Sequence, residues 1–440
     1  MLNGPFVNPF RPGAGHTPPY LAGRKGQSEE FRRLLKQDVI LENMVLTGLR
    51  GVGKTVLLDT FRPETIRAGW GWVGDDMSES SSITEERLAV RLMTDLAVVT
   101  SSIVISDREL VGIGFRPEKG HIQQTFDYDT MFALFQNTPG LVSDKLKKVL
   151  ECAWQCMQRK QRRGLVFAYD EAQNLSDHAA RNEYPLSLLL DVFQSIQKKE
   201  IPFLLVLVGL PMLFPKLVAA RTYSERMFRV VFLDRLNESD SRDAILEPIR
   251  SVPPPIPEDA IKLWEKMCEL NRDPLFEPFC KMPFAEYWIE LWKEELAPSI
   301  ISRSGGYPYF IQFICREYYD LLMSLYGIPD ANQLLDSHVD YDIVRKLDNN
   351  FYAGRWARTT DRQRELLGVI ASLDTSDEEF TVQEIVAKSK GISVKPFRAS
   401  HVSQMLHALC DAGLVYKNRH GKYSFAVPLL GRFILRQQQD

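Results

Sequence analysis

Through its first half the chain alternates short, strand-length apolar runs with longer stretches whose apolar residues recur at helical spacing. Residues 43–47 (Asn-Met-Val-Leu-Thr) form one such run, and after a glycine-rich gap residues 56–61 read as the start of a helix. Residues 70–74 read as a second strand. Residues 84–99 follow as an amphipathic helix, with Thr84 as its N-cap and Glu85 and Glu86 in the first turn, where acids complement the helix dipole. Residues 164–169 are another apolar run, and residues 185–199, 203–208, 211–220 and 229–233 continue as helix, strand, helix, strand. Apolar strands separated by helices indicate an α/β arrangement, a parallel sheet covered by helices on both faces. Its ligand is expected outside the carboxyl ends of the strands.

From about Leu236 this alternation stops. Residues 240–249 are helical, residues 252–257 form a proline-rich turn, and the chain up to about Asn350 reads as several helices. From Thr359 the pattern changes again. A helix at 362–373, a short strand at 380–381 and helices at 382–389 and 400–412 precede two alternating segments, 414–418 and 422–426, about Arg419-His420-Gly421. That order is the order of a winged helix-turn-helix, whose third helix would bury Val402, Met405, Leu406 and Leu409. The expected division is therefore a core at residues 1–235, a helical lid at 236–350 and a winged helix at 351–440. Residues 1–19, rich in Pro and Gly, read as an extended arm on the core. Residues 100–140 carry no clear period and read as an insertion without a functional assignment.

The chain has 440 residues, 45% of them hydrophobic and 25% charged, as in folded globular proteins of two to three domains. No apolar run approaches a membrane span, and the longest, residues 203–210, stops at Pro211. No basic-plus-apolar leader pattern opens the chain, so a cytoplasmic location is expected. The net charge of -3 excludes a generally basic nucleic-acid coat but leaves room for a local basic patch. Such a patch exists: residues 392–440 hold seven Lys/Arg against two Asp. Of six cysteines only Cys152 and Cys156 are close, at helical i,i+4 spacing with no nearby His, which suits a buried helix face.

Candidate chemistry concentrates in the gap after the first strand. Gly48-Leu49-Arg50-Gly51-Val52-Gly53-Lys54-Thr55 fits G-x-x-x-x-G-K-[ST], a loop whose backbone N–H groups wrap nucleotide phosphates. Lys54 would reach the β/γ-phosphates, the Thr55 hydroxyl would hold Mg²⁺, and Val56 continues into the helix whose N-terminus favours the anion. The run at 164–169 ends in Asp170-Glu171. There Asp170 suits the Mg²⁺ shell and Glu171 suits polarisation of an attacking water. The tetrad Asp170-Glu171-Ala172-Gln173 also occurs in helicases, but no further motor motifs follow it here. Upstream, Tyr20-Leu21-Ala22-Gly23-Arg24 reads either as an adenine-side segment or as an N-terminal strap. On the third C-terminal helix Arg398, Ser400, His401, Gln404 and His407 fall on one exposed face. Lys417, Arg419 and Lys422 on the hairpin would suit phosphates of double-stranded DNA. The other reading makes this a protein-contact domain.

These features together resemble the AAA+ and related signal-transduction ATPases, close to the origin-initiator type that ends in a winged helix, over almost the whole chain. The resemblance implies that Gly23-Arg24 lies by the adenine, and that Gly306-Tyr307-Pro308 corresponds to a motif whose proline, Pro308, touches the base. Residues 170–175 are also similar to the acidic motif of transposon-encoded DNA-binding ATPases. The family's arginine finger, supplied to a neighbouring subunit, corresponds best to Arg226, with Arg221 next. A plain surface arginine pairing with Glu225 or Asp234 is the alternative. Two departures stand out: Val208-Gly209-Leu210-Pro211 replaces a polar sensor, and no sensor arginine accompanies Gly306-Tyr307-Pro308. The resemblance thus implies a slowly hydrolysing ATPase acting as a switch, with ATP and Mg²⁺ bound, DNA or partner proteins engaged, and ATP-dependent homo-oligomers formed. A nucleotide-regulated adaptor is the alternative.

Overall fold

The structure, a computed structural model, describes residues 8–13, 15–111, 119–251, 262, 265–266, 269, 282–325, 337–392, 395–419 and 421–438. The proline-rich turn expected at 252–257 lies outside them. Two compact units divide the chain: Lys25–Gly48 with Leu57–Leu233, and Met1–Arg24 with Leu49–Val56 and Asp234–Asp440.

The first unit is built on a parallel sheet flanked by helices. Its elements are α1 (Lys25–Leu34), β1 (Asn43–Gly48), α2 (Lys54–Arg67, whose first turn belongs to the other unit), β2 (Gly71–Val73), α3 (Glu85–Thr100), β3 (Val104–Val111), β4 (Lys119–Thr125), α4 (Tyr128–Asn137), α5 (Val142–Gln158), β5 (Leu165–Tyr169), α6 (Pro185–Gln197), β6 (Phe203–Gly209), α7 (Leu213–Ala220), α8 (Ser224–Met227) and β7 (Phe228–Leu233). The strand order is β2-β5-β6-β1-β7 and every neighbouring pair is parallel. Strands β1, β5 and β6 are buried at every residue, as continuous apolar runs require when both faces are covered. Edge strand β7 instead exposes Val230 and Phe232.

Asn43 is a polar residue in this interior, and an amide pair accounts for it. Its Oδ1 accepts from Gln197 Nε2 and from the Leu205 N–H, both at 2.8 Å, while its Nδ2 donates to Gln197 Oε1 at 3.1 Å. The exchange ties β1 to α6 and β6 and satisfies groups whose burial without partners would be costly. The expected cap of α3 is present: Thr84 Oγ accepts from the Arg87 N–H.

Residues 100–140, where no period is visible, contain the antiparallel hairpin β3–β4, separate from the parallel sheet, and then α4. Strand β3 keeps its apolar residues in pairs at its two ends, Val104-Ile105 and Leu110-Val111, and β4 has Ile122 alone, so neither shows the apolar alternation that reveals a half-buried strand.

The second unit is mainly helical: α9 (Glu238–Ser251), α10 (Phe284–Glu290), a π-helical segment Leu291–Leu296, α11 (Ala297–Ser304), α12 (Pro308–Leu325), α13 (Ser337–Leu347), a second π-helical segment Asp348–Tyr352, α14 (Ala353–Trp356), α15 (Asp361–Ala371), α16 (Val382–Ile392), α17 (Ala399–Asp411), β8 (Val415–Arg419), β9 (Lys422–Phe425) and α18 (Leu430–Gln437). The proline-rich arm is packed rather than loose. Phe10 is fully buried, stacks on Trp292 at 5.6 Å and meets Tyr319 edge-on at 6.3 Å. Asn8 Nδ2 donates to Asp320 Oδ1 at 2.8 Å.

Helices α15, α16 and α17 precede the β8–β9 hairpin in the expected order, with the short strand at 380–381 reduced to a single bridge between Phe380 and Tyr423. Helix α17 buries Val402, Met405, Leu406 and Leu409, as its spacing requires. Helix α18 closes this region: Tyr352 stacks on Phe433 at 4.8 Å, and Arg436 holds Asp348 through two hydrogen bonds. Among the described residues no helix is long and apolar enough to cross a membrane.

Candidate nucleotide site

Because the sheet is parallel, β1 and β5 end at the same edge, one at Gly48 and the other at Tyr169. The chain leaves β1 directly into the loop 49–53 and enters α2 at Lys54. Gly51 and Gly53 have φ of 76° and 88°, the left-handed region that glycine adopts without steric cost. Successive turns of this kind aim backbone N–H groups inward and form an anion-binding concavity. Lys54 Nζ donates to the Leu49 carbonyl at 2.9 Å, so the ammonium lies over the loop it belongs to. Thr55 and Val56 occupy the first turn of α2.

Two further segments of the same unit hold this loop. Arg24 is buried, and its Nη2 donates both to the Val52 carbonyl at 2.9 Å and to the Asp234 carbonyl at 2.8 Å. Burial lowers the Arg24 pKa from its usual value, against the opposing charges of Asp240 and Asp234. Gly23 leaves no room for a side chain, since a Cβ there would lie 2.7 Å from Asp240 Oδ2. Pro308 opens α12, and the next residue, Tyr309, donates its N–H to the Gly51 carbonyl at 3.1 Å. Gly23, Arg24, the loop and the Pro308 turn therefore share one neighbourhood. Tyr309 was not among the sequence candidates, although its place after Pro308 pointed to it.

A second residue missed by sequence reasoning is Arg355. Its guanidinium lies 5.3 Å from the ring centroid of Phe351, which in turn is 5.3 Å from Tyr309. Burial, then the nearby charges of Arg50 and Arg358, lower the Arg355 pKa. Arg50 Nε is buried without a hydrogen-bond partner among the described residues. No local motif in the sequence announces this crowding.

The acidic motif follows β5. Asp170 is buried, its Oδ1 accepts the Glu171 N–H at 2.7 Å, and its carbonyl accepts the Met77 N–H at 2.8 Å. Glu171 is exposed and left-handed, with φ of 50°. Its carboxylate accepts a hydrogen bond from Gln173 Nε2. Asp59 on α2 has a raised pKa through burial first, then through the charge of Asp76, with Arg62 opposing and Asp75 adding to the rise. A carboxylate such as Asp170 is a hard oxygen donor of the kind a divalent cation takes, and among the described residues no group of three acidic, His or Cys side chains stands ready to hold one.

Arg226 is exposed on α8. Arg221, the second finger position, is instead engaged: it grips Asp191 through Nε at 2.9 Å and Nη2 at 2.7 Å, and Tyr223 Oη joins at 2.7 Å. Burial alone would raise the Asp191 pKa, but the hydrogen bonds from Arg221 and Tyr223 outweigh it and the value falls.

On α17, Arg398 is the N-cap residue, and Arg398, Ser400, His401, Gln404 and His407 are all exposed. His407 Nδ1 lies 3.1 Å from Asp411. Arg362, outside the expected set, places its guanidinium 3.8 Å from the Phe397 ring centroid, donates to the Lys395 carbonyl at 2.8 Å and pairs with Glu365. Lys417 is exposed and Lys422 half-buried, with Glu384 close enough to Lys422 to feel its charge. Arg419 is the last residue of β8.

Residues 349–434 match a protein-family model described as a domain of unknown function, DUF8462. No curated protein sequence matches the chain. Among solved structures, the ADP form of the Aeropyrum pernix ORC2 protein aligns with 98% of this chain and 100% of its own, at 13% identity and a TM-score of 0.51. The same protein in ADPNP–ADP complexes aligns over 98% of both chains at 12% identity with a TM-score of 0.49. The Pyrobaculum aerophilum Cdc6p structure aligns over 97% of both chains at 13% identity with a TM-score of 0.41. The likeness to the ADP form of ORC2 shows the fold: a parallel sheet with flanking helices, followed by a helical C-terminal region.

Proposed function

We propose that this chain binds ATP and hydrolyses it slowly as an AAA+-type switch, coupling nucleotide state to assembly and to DNA binding. The observation that carries the reading is the loop Gly48–Thr55 emerging from β1, with Asp170-Glu171 following β5 at the same sheet edge. Loop N–H groups and Lys54 bind phosphate, while Thr55 and Asp170 serve as oxygen ligands for Mg²⁺. Bound Mg²⁺ supplies charge neutralisation at the phosphates. Glu171 takes the proton of the attacking water, and Arg226 reaches the nucleotide of a neighbouring subunit. Arg24 and Tyr309 keep the loop in its wrapped form. Slow turnover is supported by the apolar end of β6 and by Gly306-Tyr307-Pro308, which brings no arginine of its own.

Helices α15–α17 and the β8–β9 hairpin support a winged helix-turn-helix. Its exposed α17 face enters the major groove, and Lys417, Arg419 and Lys422 take the flanking phosphates of double-stranded DNA. Two acids beside the hairpin, Glu384 near Lys422 and Glu379, which accepts from Asn418 Nδ2, favour a second reading, a protein-contact domain on a nucleotide-regulated adaptor. A mobility-shift series in rising salt separates the two. DNA affinity that falls steeply with salt, and is lost when Lys417, Arg419 and Lys422 become Glu while ATP binding persists, supports the switch. No DNA binding with or without ATP selects the adaptor. In the same preparations Glu171→Gln should retain ATP and stabilise the assembled form in size-exclusion runs.

A further inference from the structure

The end of β6 reads Val208-Gly209-Leu210-Pro211 and contributes no polar side chain. The structure supplies polarity there from a different element, the 3₁₀ turn Ala172–Asn174 that follows the acidic motif. Gln173 Nε2 donates to Glu171 Oε2, and Gln173 Oε1 accepts the Leu210 N–H at 3.2 Å. Both partners demand the same amide orientation, since a carboxylate only accepts and a peptide N–H only donates. The base of the tether is itself fixed, because Lys216 Nζ donates to the Gln173 carbonyl at 2.7 Å. Burial lowers the Lys216 pKa from its usual value.

Gly209 is shaped around this arrangement. A Cβ at Gly209 would stand 2.5 Å from Gln173 Oε1, so any other residue there would push the amide aside. Glu171 meanwhile sits at φ 50°, a left-handed conformation that a non-glycine residue keeps only where its surroundings fix it. Two contacts do so: Asp170 Oδ1 on its N–H and Gln173 on its carboxylate.

We propose that Gln173 is the positioning residue for Glu171, tying its carboxylate through one amide to the backbone at the end of β6. One oxygen of Glu171 is occupied by the tether, and Oε1 is left to accept the proton of water. Gln173 touches neither nucleotide nor water in this scheme; it acts through Glu171. The proposal rests on the hydrolytic role of Glu171 given above.

The test is steady-state ATP hydrolysis by the full chain, with ATP affinity measured separately. Gln173→Ala should lower kcat about 10- to 100-fold, the scale of a misplaced catalytic group, with KM and ATP Kd within about twofold of the parent. Gly209→Ala keeps the Gln173 side chain but displaces it, and should reproduce the loss without depending on how Gln173→Ala folds. Adding Gln173→Ala to Glu171→Gln should cost nothing more, because the two act as one unit. A parent-like kcat in Gln173→Ala and Gly209→Ala, or a loss that multiplies with Glu171→Gln, overturns the tether while leaving Glu171 as the base. Parent turnover that is absent or indifferent to Glu171→Gln overturns the tether and the hydrolytic reading together.

Discussion

Arg24→Ala probes how far the loop's shape depends on a single distant side chain. Both hydrogen bonds from Arg24 leave the same nitrogen, Nη2, and reach the Val52 and Asp234 carbonyls at 2.9 and 2.8 Å. Hydrogen bonds from a charged donor contribute about 1.5–3 kcal/mol each, which sets an upper bound near 6 kcal/mol for the pair. Burial works against the guanidinium, as its lowered pKa records, and water can reach the carbonyls once the side chain is removed. A net loss of about 2 kcal/mol in the wrapped loop is the reasonable scale. If the loop must then be ordered by the nucleotide, apparent affinity falls by the lost fraction of competent loop, roughly 30-fold for 2 kcal/mol. Titration of a fluorescent ATP analogue with Mg²⁺, alongside thermal melting, measures both consequences. Arg24→Lys, whose ammonium lacks the guanidinium reach, should fall between parent and Arg24→Ala. An Arg24→Ala protein that melts like the parent and binds ATP within twofold of it would refute the latch.

Two further outcomes follow from other parts of the chain. Arg226→Ala should bind ATP normally and lose turnover only at concentrations where the protein assembles; an equal loss in dilute monomer would remove its role in trans. Glu384 accepts from the Thr381 N–H at 2.6 Å and hydroxyl at 2.7 Å, and these bonds hold its pKa below the usual carboxylate value. Its contribution should be fully present above the unfolded value of about 4.3 and disappear as pH falls through the depressed folded value. Glu384 is largely solvated, so Glu384→Ala should cost about 0.5 kcal/mol at neutral pH, with the gap to the parent closing on acidification in melting curves.

The parts of this molecule legible in its sequence are those whose chemistry is contiguous. A phosphate-loop motif is defined by fixed residue types in one run, so residues 48–55 stand out as a candidate, as do Asp170-Glu171 at the end of an apolar strand. Thr84 is equally readable, because a cap and its helix are neighbours. What stays hidden depends on contacts far apart in the chain: Tyr309 on Gly51, Arg24 on Asp234, and Arg355 beside Arg50. The engagement of Arg221 by Asp191, thirty residues away, is equally invisible in the local sequence. Phe10, one of two phenylalanines in a proline-rich arm, gives no periodic sign that Trp292 and Tyr319 await it. The hairpin β3–β4 escapes for another reason, since the apolar residues of β3 sit in pairs at its ends and β4 has Ile122 alone, leaving no alternation.

The central claim is that the loop between β1 and α2 is a nucleotide site, and calorimetric titration of the full chain with ATP and Mg²⁺ tests it most directly. The parent should bind about one ATP per chain, and Lys54→Ala, which removes the only ammonium within the loop motif, should bind none at the same concentrations. A parent that binds no nucleotide, or a Lys54→Ala protein that binds ATP as the parent does, would contradict it.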